Sequence, residues 1–168
     1  SIGLSSGFLE PLESTSIHLI QSGVLRLLKF FPNHGINDAE RDEFNRQSKI
    51  EFEQIRDFII LHYKLNERTD SQYWKDCARM DIPETLRRKI DIFRHSGRVF
   101  REQDELFTEI AWQQVMFGQG VIPADYHPMV EALNDTQLKE LMENLKAIMQ
   151  VTVSRLSSHQ QFLDQLQR

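Results

Sequence analysis

A carboxylate stands immediately before an apolar, helix-forming run in residues 7–15, Gly-Phe-Leu-Glu-Pro-Leu-Glu-Ser-Thr. That acid is Glu13, and the run behind it (Ile17, Ile20, Val24, Leu27, Leu28, Phe31) keeps the helical period. The first turn of a helix has backbone N–H groups with no intrahelical acceptor, so a small anion can settle there. Here the amides of Thr15 and Ser16 would meet it. A carboxylate repelled by a neighbouring anion becomes the better proton acceptor, which makes Glu13 a candidate general base or electrostatic stabiliser. The structural alternative is a helix-start acid with Ser14 or Thr15 as caps, contributing a few tenths to about 1 kcal/mol through the helix dipole.

Other chemistries find less support. The six histidines (His18, His34, His62, His95, His127, His159) form no His-x-x-x-His pair, and no Glu-x-x-His pair exists, so no metal site is expected. Cys77 has no partner cysteine and no motif, and reads as a structural thiol. Gly118-Gln119-Gly120 lacks the third glycine of a nucleotide fingerprint and follows a helical stretch, so it reads as a helix stop. Phe100, Phe107, Trp112 and Phe117 could line a flat apolar pocket, although core packing explains them more simply.

The elements that must position Glu13 are helical. Residues 17–31 form a first helix ended by Pro32. Asn37 or Asp38 can cap a second, running to about His62. Residues 63–80 read as a packed irregular loop carrying Tyr63, Tyr73, Trp74 and Cys77. A third helix starts at Asp81-Ile-Pro-Glu and stops near Gly97, and a fourth runs from about Gln103 to Gly118. Asp135 can cap a long last helix whose apolar face extends to Leu163. The fold class is mainly α, with room for one short strand at the start.

The 168 residues suffice for one domain with a core, and 40% apolar with 27% charged residues is an ordinary globular balance. The net charge of −5 argues against a nucleic-acid partner. No apolar run reaches membrane-spanning length, so no membrane is expected either. A single cysteine and no signal-peptide pattern point to the cytoplasm. The absent initiator methionine suggests a piece of a longer protein.

The string Phe8-Leu9-Glu10-Pro11-Leu12-Glu13-Ser14-Thr15, continued by Ile17-His18-Leu19-Ile20-Gln21, resembles the active-site segment of flavin-dependent tryptophan halogenases. Leu61-His62-Tyr63-Lys64, Tyr73-Trp74 and Trp112–Gly120 also look like that family. The resemblance implies an enzyme using FADH2 from a separate flavin reductase, with O2 and halide as co-substrates. Hypohalous acid formed there would reach an aromatic, tryptophan- or indole-like substrate beside a lysine and a glutamate. It implies that Glu13 is the catalytic glutamate and that the Thr15 and Ser16 amides bind halide. Leu4 and Ile17 would touch the flavin through backbone groups. Many relatives have glycine where this chain has Ser16, and serine takes positive φ less cheaply.

Phe107 and Trp112 are the substrate-pocket candidates. The nucleotide fingerprint and the catalytic lysine lie N-terminal to this segment in the family. Residues 1–168 would thus be a C-terminal segment of a larger α/β flavin-dependent monooxygenase-like fold. Residues 1–16 form its flavin and halide segment and 17–168 a helical substrate-side lobe, with a homodimer left open. Alone, the segment should neither bind flavin tightly nor turn over. Two other readings stand beside this one: a non-catalytic helical interaction module, and a flavin-dependent aromatic monooxygenase.

Overall fold

The computed structural model describes residues 2–166. All regular structure among them is helical, and the chain divides after Tyr126 into two compact units. In the first unit, 3-10 turns at Gly3–Ser5 and Pro11–Glu13 lead into α1 (Thr15–Lys29). Then come α2 (Asp38–Lys64), α3 (Gln72–Arg79), α4 (Glu84–Ser96) and α5 (Glu109–Gly118).

The long α2 is the spine of this unit. Asn37 caps it, its Oδ1 accepting from the Ala39 N–H at 2.8 Å. Its apolar residues face two ways. Phe58 and Leu61 join Leu86, Ile90 and Phe93 of α4 and Trp112 and Met116 of α5 in the main core. Ile55 and Ile59 pack instead against Leu19 of α1. Polar links fix α1 on α2 as well. Glu51 accepts from Arg26 at 2.7 Å and Ser22 at 2.9 Å, and meets His18 at 3.0 Å. Helix α4 stops at Gly97, whose φ of +67° is left-handed and whose N–H donates to the Phe93 carbonyl.

A buried ion pair ties α4 to the loop before α5. Lys89 donates to Glu105 at 2.7 Å and to the Phe100 carbonyl at 2.9 Å. The second unit contains a 3-10 turn at Pro128–Ala132, α6 (Asp135–Ser154) and α7 (His159–Leu166). The apolar residues of α6, from Leu138 to Met149, are exposed.

Four expectations need correction. The N-terminal strand is absent among the described residues, since residues 3–5 form a 3-10 turn. The loop at 63–80 contains α3, where Tyr73, Trp74 and Cys77 occupy one side of two helical turns. The fourth sequence-read helix starts at Glu109, because Gln103 takes a left-handed φ of +64° and Thr108 caps the helix. The last helix is two helices, broken around Arg155–Ser158, and its cap is Asn134 rather than Asp135. Asn134 and Gln137 exchange side-chain-to-backbone hydrogen bonds at 3.0 Å in a capping box.

Candidate functional site

Glu13 closes the short 3-10 turn opened by Pro11, whose ring fixes the φ that such a turn needs. Ser14 follows with φ +53° and ψ +31°, a left-handed conformation costing a non-glycine residue about 1–2 kcal/mol. Its N–H donates to the Pro11 carbonyl at 2.9 Å, but its side chain makes no capping hydrogen bond. The capping role open to Ser14 is thus not realised. The first turn of α1 holds no acidic residue either, so its N–H groups have neither a side-chain cap nor a carboxylate within the turn.

Thr15 deepens this vacancy of partners. It is only 2% exposed, and its Oγ1 is buried without a hydrogen bond. A buried hydroxyl left unpaired costs about 1–3 kcal/mol, and such a group calls for a partner. Ser16 is half-buried, and its hydroxyl donates to the Leu9 carbonyl at 3.4 Å. The concern over serine at this position does not arise. Positive φ falls on Ser14, and Ser16 is an ordinary helical residue.

The end of α2 grips the turn that carries Glu13. His62 Nε2 lies 3.0 Å from Glu13 Oε1, with the two side chains 18% and 34% exposed. His62 Nδ1 donates to the Phe58 carbonyl at 2.8 Å. One residue on, the Tyr63 hydroxyl donates to Glu10 Oε1 at 2.5 Å. Two acids three apart in the chain thus meet two adjacent residues of one helix. The Glu10 hydrogen bond, aided by burial, pushes the Tyr63 phenol up to about 12. The Tyr63 ring stacks on Trp74 of α3.

Behind His62 lies an aromatic stack. Phe58 meets the His62 ring edge-on at 5.1 Å, stacks on Phe107 at 3.7 Å and meets Trp112 edge-on at 4.8 Å. Trp112 is 1% exposed and belongs to the main core, and Phe107 is half-buried against it. A cavity of about 300 Å³ touches Trp112 beside Asp57, Thr85, Lys89 and Glu105, and its lining does not include Glu13. Leu4, in the first 3-10 turn, and Ile17, in the first turn of α1, are both exposed.

Sequence reading alone missed His62 and Tyr63 as partners of Glu13 and Glu10. His62 is 49 positions from Glu13, and only the packing of α2 beside the first segment joins them. The sole available signal was the run Leu61–Lys64, which carries part of the family resemblance.

Residues 1–135 match the family model described as tryptophan halogenase. Among curated relatives, the 7-chloro-L-tryptophan 6-halogenase KtzR of Kutzneria sp. is 39% identical over 94 residues, covering 56% of this chain and 18% of that protein. The tryptophan 6-halogenase SttH of Streptomyces toxytricini is 38% identical over 126 residues, covering 73% and 24%. A flavin-dependent halogenase from Xanthomonas campestris superposes with a TM-score of 0.94 at 47% identity, covering 98% of this chain and 33% of that one. BrvH, a flavin-dependent halogenase from Brevundimonas sp. BAL3, superposes at 0.93 with 45% identity, covering 98% and 34%. The chain therefore spans between a fifth and a third of these relatives. With its family model matched from the first residue through the start of α6, this chain belongs to the tryptophan halogenase family.

Proposed function

We propose that this chain is the C-terminal, helical substrate-side part of an FADH2-dependent halogenase acting on an indole-like or tryptophan substrate. The observation that carries the reading is Glu13, in contact with His62 beside the N-terminus of α1, where Ser14 makes no side-chain capping hydrogen bond. The activities of the related halogenases support it.

A flat cofactor ring fits the first segment. A Cβ on Gly3 would meet nothing within 4 Å, and Leu4 beside it in the chain and Ile17 in the first turn of α1 are exposed and apolar. Gly7 differs: there a Cβ would come within 3.1 Å of the Phe52 ring, so its backbone is packed against α2. Reduced flavin with O2, when bound, supplies the oxidising power that turns halide into hypohalous acid. The chain's own residues then have three tasks. The Thr15 and Ser16 amides, with the unpaired Thr15 hydroxyl, hold the halide. The Glu13 carboxylate orients the electrophile and offsets the positive charge that develops on the ring. It then accepts the ring proton as aromaticity returns.

Of the two pocket candidates, half-buried Phe107 can meet a substrate ring behind His62, whereas Trp112, 1% exposed, is taken up by the core and supports Phe58 from behind. The exposed apolar residues Leu25, Leu28 and Phe31 at the far end of α1 pack against the remainder of the enzyme, which supplies the lysine and the dinucleotide site. A separate reductase supplies FADH2.

The test uses the full-length enzyme with a flavin reductase, bromide or chloride, and indole or tryptophan, with products read by mass spectrometry. Halogenated product is expected. Hydroxylated product alone would replace this reading with an aromatic monooxygenase, and no turnover of flavin or substrate would favour an interaction module.

A further inference from the structure

We infer that His62 is a positioning residue whose close contact with Glu13 aims that carboxylate. The inference rests on the reading of Glu13 given above.

The two ring nitrogens of His62 have different partners. A carbonyl oxygen can only accept, so the 2.8 Å contact with the Phe58 carbonyl puts a hydrogen on His62 Nδ1. A neutral imidazole with that hydrogen has a lone pair on Nε2. That lone pair would face Glu13 Oε1, itself an acceptor, at 3.0 Å. A proton on Nε2 makes the same contact an ion pair that holds Oε1. Phe58 fixes the ring further, with its own ring edge-on to His62 at 5.1 Å. The Phe58 backbone and ring thus determine where His62 points, and His62 determines where Glu13 points. The pairing engages Oε1 and leaves Oε2 for the electrophile and the ring proton.

The charged and titratable neighbours can be named. From the first segment, Glu10 also approaches the end of α2, but its Oε1 accepts from Tyr63. On α2 itself, the Lys64 ammonium donates to the Met80 carbonyl. Tyr73 and Cys77 of α3 act on Tyr63. The first turn of α1 contributes the neutral Thr15, and the segment before α5 contributes the Phe107 ring, stacked on Phe58. Glu13 is therefore the group whose charge His62 answers.

The experiment compares full-length wild-type enzyme with His62→Gln and His62→Phe. It reads halogenated product per flavin oxidised, and separates kcat from KM for indole. Glutamine keeps a donor for Oε1 and should keep activity within about ten-fold. Phenylalanine removes the contact and should lower kcat by about ten- to a hundred-fold with KM little changed and flavin oxidation continuing. Full halogenation by His62→Phe would overturn the inference, as would equal losses in the two variants.

If wild type itself makes no halogenated product, the functional reading fails and this inference falls with it; a productive wild type with a fully active His62→Phe sinks the inference alone.

Discussion

Tyr63→Phe should weaken the clamp on the segment that carries Glu13 without disturbing the core. The variant removes one hydroxyl and leaves the ring stacked on Trp74. The lost hydrogen bond runs to a carboxylate, and such bonds contribute about 1.5–3 kcal/mol. Linkage sets a ceiling on the same quantity. The phenol is pushed from 10.0 up to about 12, chiefly by Glu10 and then by burial. Two units correspond to at most about 2.7 kcal/mol, and partial exposure of the pair brings this to about 1.5 kcal/mol. The direction follows from which state holds the proton more tightly. The folded phenol keeps its proton to higher pH than the unfolded one. Its contribution is therefore complete below about pH 10 and is lost as the pH rises toward about 12. Urea denaturation of the 168-residue chain, followed by tryptophan fluorescence, measures this as the difference between wild type and Tyr63→Phe. The difference should be about 1.5 kcal/mol at pH 8 and should shrink between about pH 10 and 12. A difference under about 0.5 kcal/mol at pH 8, or one that stays constant through pH 12, would refute the reasoning.

Thr15→Val keeps the shape of a buried side chain and deletes an unpaired hydroxyl. It should leave stability unchanged or raise it by up to about 1 kcal/mol, while raising the halide KM of the full-length enzyme several-fold. An unchanged halide KM would mean that the hydroxyl does not face the anion. Lys89→Met should cost about 3–5 kcal/mol, because it strands the buried Glu105 carboxylate. Adding Glu105→Leu should restore most of that loss in chemical denaturation, and a further loss would show that the pair is needed as a pair.

The scaffold was more legible than the corner it holds. Helices α1, α2 and α4 follow from apolar period, the Asn37 cap and the Gly97 stop, which are local signals. Helix α3 was missed because eight residues give only two turns of pattern, with adjacent Tyr73 and Trp74 blurring it. The start of α5 was misplaced because Gln103 takes a left-handed conformation that no local rule assigns to glutamine. Glu13 was visible through its place before an apolar helix and through the resemblance. Its partner was not, since the contact between Glu13 and His62 depends on how α2 lies across the first segment. The same holds for Ser14: its sequence suggests a cap, yet its backbone turns the chain left-handed and leaves the helix end open.

The most direct measurement is halogenated product per flavin oxidised for Glu13→Gln in the full-length enzyme, supplied with a flavin reductase, bromide and indole. Glutamine preserves the size of the side chain and removes the charge and the proton acceptor. Halogenation should fall by about a hundred-fold or more while flavin oxidation continues at the wild-type rate. Halogenation at the wild-type level by Glu13→Gln would contradict the role assigned to Glu13.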